Sequence, residues 1–424
     1  MVNAKTGGFG KVQINGRPVL VEPEPPELEW LQSGGDARNT NNFDVELQSP
    51  DEMVIQEVYP DYGFPLQYQH VSTETKMVTS TFKDGNESFV VVDKESLEIE
   101  HDVTGLGGDL YGAAIVDDWC VWSGAFNDDI AYAINVETGD TWTLTLSDAN
   151  DQIGPDLAEF GAKSLPLGVN GGVVIVSEED DGENGVTLNL DPETGNIDNH
   201  TIQSVDGNAY APFNSKPVAV EDESEIYYAT DTGHFVRIDT DSWTSDEIAD
   251  GLDGERFSIS EGGVAFFQST SSSTPAFAYD LIGEEILWET EETDYDFDIR
   301  ETSSPALDEN RGEFYLMIQE TGDDGYSFAS HDMFNGDVLV NEQTSFDHGF
   351  TADFIGFYSG QTQKMYQGID SDDNLIVSID VTTGEETIID TVTVNGWNYI
   401  APYDDKLSVF YLNSDDELEF RAYG

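Results

Sequence analysis

The sequence predicts an all-β fold, an eight-bladed β-propeller closed by an N-terminal strand, with an extended N-terminal arm ahead of it. Two observations carry that expectation. Seven short apolar runs end at Asp93, Asn135, Asp191, Asp239, Asp280, Asp332 and Asp380, so an acid or amide anchor recurs every 41 to 56 residues. Around these anchors the apolar residues alternate with period two, which excludes helical solenoids, and a spacing of about 40 to 50 residues holding several short strands belongs to propeller blades.

Each anchor opens a turn. In four of the seven a Gly follows four residues later, as Gly139, Gly195, Gly336 and Gly384, and a second β-rich run comes after it, so each copy reads as a β-hairpin. Two further strands precede most hairpins, for example residues 111–116 then 119–123, and 257–260 then 263–267. Four strands make a blade, and a lone blade cannot bury both of its faces, whereas a ring packs sheet on sheet and leaves only short outer edges. The third strands fall at 89–93, 132–135, 186–190, 235–239, 276–280, 327–332, 376–380 and 418–423, which makes eight. No strand follows the eighth. Residues 53–59 are therefore expected to supply its outer strand and tie the two ends of the ring together. The first unit, residues 68–103, is the least regular, so seven blades is the alternative count. Residues 1–50 read as a docking arm and 51–424 as the propeller.

Residues 133–142 and 278–288 are similar to the Ala-x-Asp-x-x-x-Gly-x-x-x-Trp signature of pyrroloquinoline-quinone-type propeller repeats. The first has Asn135 for Asp and is one residue short; the second has Gly283 one place early. The resemblance spans roughly residues 60 to 424 and is strong in two or three blades. It implies eight-bladed packing in which the Trp of one blade docks on the next. Enzymes of that family stack the quinone on adjacent cysteines and hold a calcium ion with carboxylate and amide ligands. Cys120 is the single cysteine here, so no quinone cofactor is expected.

Composition narrows the setting. With 86 acidic and 16 basic residues the formal net charge is -70, and carboxylates at that density lie within a Debye length of one another at ordinary salt. Such a surface needs strong screening, and its wealth of Asp, Glu, Thr and Gly resembles proteins of salt-loving archaea. Seven Trp, 18 Tyr and 23 Phe argue for a packed core rather than disorder. Duplex DNA and anionic membranes would be repelled, so neither nucleic acid nor membrane is expected as a partner. No run of 18 apolar residues occurs and the N-terminus lacks an apolar signal core, so synthesis without an export signal is expected.

The arm departs from this composition. Residues 1–21 carry Lys5, Lys11 and Arg17 and no acid. Val12, Ile14, Val19 and Val21 alternate around Asn15-Gly16, a strong hairpin signal, and a stiff Pro-rich run leads to Trp30. A hairpin of this size is marginal alone. Lys5, Lys11, Val12, Ile14, Arg17, Val19, Val21 and Trp30 are thus read as docking residues for another protein subunit, through residues 1–42.

Loops are where a propeller does its work. The connection 291–300 alternates carboxylates with apolar side chains, and Asp294, Tyr295, Asp296, Phe297 and Asp298 form a candidate recognition loop for a host-surface glycan or protein; its other reading is an innermost strand with a buried aromatic face. The stretch 147–161 is expected to carry a helical turn after Pro155. Acidic connections between second and third strands suit cations, and Asp370, Asp372 and Asp373 begin a calcium-type loop without completing its twelve-residue pattern. Neither paired metal-binding histidines nor a nucleophile elbow nor a phosphate-binding loop occurs. The function expected is a structural and recognition protein of a halophilic archaeal virus, located in the virion and attached by its arm. A cytoplasmic protein-interaction scaffold of the host is the alternative, and a propeller enzyme acting on sugars or lactones the third reading.

Overall fold

A computed structural model describes residues 10–14, 17–21, 47, 50, 52–65, 70–106, 109–125, 129–154, 157, 164–179, 184–203, 217–230, 233–252, 254–269, 274–295, 299–302, 305–320, 325–347, 357–369, 375–391 and 399–424. Eight antiparallel sheets succeed one another along the chain and form an eight-bladed propeller. Blades 1 to 7 occupy residues 62–106, 109–145, 167–203, 218–249, 254–289, 299–347 and 357–391. Blade 8 combines Tyr399–Tyr403, Lys406–Leu412 and Leu418–Tyr423 with Met53–Tyr59 as its outer strand. Closure by the N-terminal strand is thus as expected, and Gly424 N–H donates to Glu52 O at 3.0 Å to finish the join.

Blades 1 and 6 have a divided innermost strand. Tyr62–Pro65 and Val71–Ser72 both pair with Lys76–Lys83, and Ile299–Thr302 and Ala306–Asp308 both pair with Glu313–Glu320. This division is the irregularity of the first unit. The expected helical turn lies elsewhere: the helix runs Leu146–Ile153, ahead of Pro155 and not after it. Thr145 caps it by accepting from Asp148 N–H at 3.1 Å, and Gly154 ends it at a φ of 92°.

The anchors work by one mechanism. Each Asp or Asn turns its side-chain oxygen onto the backbone N–H groups two or three residues ahead, as Asn135 Oδ1 does with Glu137 and Thr138 at 3.0 and 2.9 Å and Asp380 Oδ1 with Thr382 and Thr383 at 2.9 and 3.0 Å. The residue four places on is then forced to positive φ. Gly139, Gly195, Gly336 and Gly384 adopt it freely, while Leu97, Trp243 and Glu284 adopt it at 58°, 51° and 52° against a steric cost.

Apolar clusters lie between neighbouring sheets. Val173, Ile175 and Leu188 of blade 3 pack on Val121 and Ala133 of blade 2, and Tyr59 and Phe420 of blade 8 pack on Met77 and Val90 of blade 1. Leu47 is buried with Val71, Trp122 and Tyr411, so the chain enters the propeller core shortly before the closing strand. Gly10–Ile14 and Arg17–Val21 form the expected hairpin, with Lys11 opposite Leu20 and Val12 opposite Val19. Among the described residues its strands pair only with each other.

Candidate functional site

The turns between third and fourth strands repeat one geometry with different side chains. Two places after the anchor stand Glu95, Glu137, Glu193 and Asp241 in blades 1 to 4 and Thr382 in blade 7, but Ile282 and Phe334 in blades 5 and 6. In both of those turns the residue after the anchor, Leu281 or Met333, is buried between blades. The anchor then fixes the next one, Asp280 Oδ1 accepting from Ile282 N–H at 2.9 Å and Asp332 Oδ1 from Phe334 N–H at 2.7 Å. With its predecessor held inward, each side chain is aimed at solvent, and Ile282 and Phe334 are 85% and 84% exposed. Ile286, Leu287 and Leu339 on the outer strands of the same two blades are exposed as well.

Trp288 joins these two blades from beneath. Its Nε1 donates to Met333 O at 3.0 Å, and its ring covers Gly336, where a Cβ would meet Trp288 Cε3 at 2.5 Å. Trp142 repeats the contact three blades earlier in the ring, donating to Pro192 O at 2.8 Å and covering Gly195. This is the docking of one blade's Trp on the next that the repeat signature implies. In blade 1 the imidazole of His101 takes the same place over Gly139.

Of the proposed recognition loop, Tyr295 is buried. It is 6% exposed, with its hydroxyl 2.7 Å from His331 Nε2 and donating to Thr290 Oγ1 at 3.2 Å. Its aromatic ring belongs to the packing of blades 5 and 6, which corrects its reading as a contact residue. Asp294 is exposed and caps its own turn, accepting from Glu291 N–H at 2.8 Å. Asp296, Phe297 and Asp298 lie outside the described residues, as do Lys5, Trp30 and the cation candidates Asp370, Asp372 and Asp373. Lys11, Val12, Ile14, Arg17, Val19 and Val21 lie in the hairpin strands.

Two histidines are wholly buried. Burial pushes His331 down to about 3, against a partial upward pull from the backbone at Phe314. Burial, followed by the nearby Lys94 charge, takes His70 to about 3 too. His70 Nε2 lies 3.1 Å from Ser408 Oγ, but that hydroxyl donates to Ala401 O at 2.9 Å, so the serine accepts from the imidazole and is not activated by it. The quinone of the resembled family does not fit this chain: Cys120 is buried in the packing of blades 1 and 2, and burial raises its thiol well above the usual range.

An acidic cleft of about 480 Å³ follows the seam of blade 8 and blade 1, with Glu57, Asp61, Glu98 and Glu100 at its rim. Its carboxylates are partly neutralised, Lys76 Nζ donating to Glu100 at 2.5 Å and Lys83 pairing with Asp102. Beside it the half-exposed closing strand is held by Gln56 Nε2, which donates to the buried Glu419 at 2.7 Å, while Arg421 binds both Glu419 and Asp390 of blade 7.

The chain is similar to two solved propellers at a level that shows the fold. It shares 12% identity and a TM-score of 0.55 with BamB from Moraxella catarrhalis, over 88% of this chain and 99% of that one. With the computationally designed Ika8 protein it shares 13% identity and a TM-score of 0.57, over 90% of this chain and all of the other. No family model matches the sequence, and no curated protein is similar to it. The class defined is therefore the eight-bladed β-propeller with Trp-docked blades.

Proposed function

We propose that this chain is a structural and recognition subunit of a halophilic archaeal virus, a propeller head fastened into the particle by its N-terminal arm. The observation that carries the reading is the hairpin of residues 10–21. It lies in a segment, residues 1–21, without a single acid, in a chain of net charge -70, and its strands pair with no other described strand. Two short strands are marginal in water alone, and a partner subunit bearing an open sheet edge and carboxylates would complete both the hydrogen bonding and the charge. Recognition falls to the propeller, where Ile282 and Phe334 put apolar contact area on an otherwise acidic surface.

That apolar pair also favours the second reading, a cellular scaffold that binds another protein through blades 5 and 6. Two variants separate the readings. Deleting residues 1–42 is expected to leave a folded propeller at high salt that no longer enters particles; undiminished incorporation would reject the viral reading. An Ile282→Asp/Phe334→Asp variant that enters particles normally but loses a co-purifying cellular protein supports the scaffold.

A further inference from the structure

Blade 4 carries a cluster of metal-type ligands that the reading above does not use. His234 immediately precedes the third strand, Glu247 lies near the end of the fourth, and Asp250 opens the crossover to blade 5. His234 is 8% exposed, and its Nδ1 lies 2.9 Å from Glu247 Oε1 and 3.5 Å from Asp250 Oδ1. One ligand atom from each residue falls within 4.8 Å of the other two. We propose that His234, Glu247 and Asp250 bind a first-row transition-metal dication of the zinc or cobalt type at the rim of blade 4.

The backbone holds the imidazole for this task. Thr230 Oγ1 accepts from His234 N–H at 3.0 Å, and Thr230 N–H donates to His234 O at 2.9 Å. Gly233, at a φ of 87°, lets the crossover lie directly on the turn: a Cβ there would meet Leu252 O at 3.0 Å, and Leu252 N–H donates to Gly233 O at 2.9 Å. Asp250 and His234 are thus tied together by a backbone hydrogen bond two residues from the Asp250 carboxylate and one from the imidazole. The register shift between Phe235 and Val236 leaves Glu247 opposite Val236, and His234, two residues before Val236, shares its face.

The two separations from the imidazole suit a small dication. Metal-to-nitrogen and metal-to-oxygen bonds of about 2.0–2.2 Å put neighbouring ligand atoms about 2.9 to 3.5 Å apart, depending on geometry. The two carboxylates are exposed, so they close on the ion without disturbing the core. A nitrogen ligand and only two carboxylates favour zinc, cobalt or nickel over calcium, which takes six to eight oxygens. Three protein ligands also leave room for water or for a side chain of a bound partner.

Cobalt tests this in the full chain at molar salt, because exposed carboxylates alone hold Co2+ in the weakly absorbing six-coordinate form. Titration is expected to give one saturable equivalent with a stronger visible d–d spectrum, displaced by Zn2+ and not by equal Ca2+. His234→Gln should abolish the spectrum, and Asp250→Asn, whose exposed side chain carries no core packing, should weaken binding at least tenfold with circular dichroism unchanged. A wild-type spectrum no different from aqueous Co2+, or the same saturable binding in both variants, overturns the proposal.

Discussion

The seam between blades 5 and 6 and the seam between blades 4 and 5 solve one packing problem with opposite chemistry. In the first, Trp288 stacks on Phe314 at 5.7 Å and Phe314 on His331 at 4.4 Å, and Gly336 accommodates the indole. In the second, the corresponding outer-strand position is Asp246, and Arg237 spans the rim to Asp246 at 3.3 Å and to Glu284 of blade 5 at 3.5 Å. Glu284 stands where Gly336 stands, at a positive φ that Gly would adopt at no cost. A seam closed by an aromatic stack is not weakened by charge screening, whereas one closed by half-exposed charges weakens as salt screens it. The ring therefore combines joints with different sensitivities, and each can be broken separately.

Acid should open the aromatic joint most. The folded state holds His331 neutral down to about pH 3, whereas the unfolded chain takes up the proton near its ordinary value of about 6.5. Its stabilising contribution is thus complete above pH 6.5 and drains away as pH falls through that window, by up to about 1.4 kcal/mol per pH unit. Acid also relieves carboxylate repulsion, so the comparison with His331→Gln at molar salt isolates the histidine. Urea midpoints with the same pH dependence in both proteins would reject the assignment. Next in size, Trp288→Ala is expected to cost about 3 kcal/mol, read as a lower urea midpoint at unchanged slope; a loss below about 1 kcal/mol would show that the Phe314–His331 pair, not the indole, carries the joint.

Gly195→Ala forces a Cβ to within 2.6 Å of Trp142 Cε3 at a φ of 69°. A cost of about 2 kcal/mol follows from the backbone conformation and the displaced indole, and a Trp142→Ala background should remove the steric part. The smallest effect belongs to Arg237→Gln, under about 1 kcal/mol at low salt and close to zero at molar salt. An effect that persists at molar salt would mean that the ion pair is better shielded than its exposure indicates.

Much of the ring was legible because its anchors are local. An Asp that accepts from amides two or three residues ahead, followed by a residue at positive φ, leaves a pattern that survives where Leu97, Trp243 and Glu284 replace Gly. The closing strand followed from counting, since seven complete units and one incomplete unit leave a single vacancy. What escaped was set by distant contacts. Whether Tyr295 faces solvent depends on His331, 36 residues away in the next blade, and no alternation within 291–300 reveals it. The ligands His234, Glu247 and Asp250 come from three elements and match no linear motif. Ile282 and Phe334 had a readable signal, an apolar residue at a turn position that is acidic in four other blades, but it emerges only once the turns are superposed.

The closing strand also orders events in time. Gln56 and Glu419, hydrogen-bonded in the finished ring, are 363 residues apart. During synthesis Met53–Tyr59 leaves the ribosome first among the propeller strands and waits for Leu418–Tyr423, the last to emerge. Until then two sheet edges stay open and the blades form an arc that can splay, so closure is a late, high-contact-order event. Loss of Leu418–Tyr423 would leave Met53–Tyr59 without its partner. The join acts as the clasp of the molecule and makes the last propeller strand a condition for a closed ring.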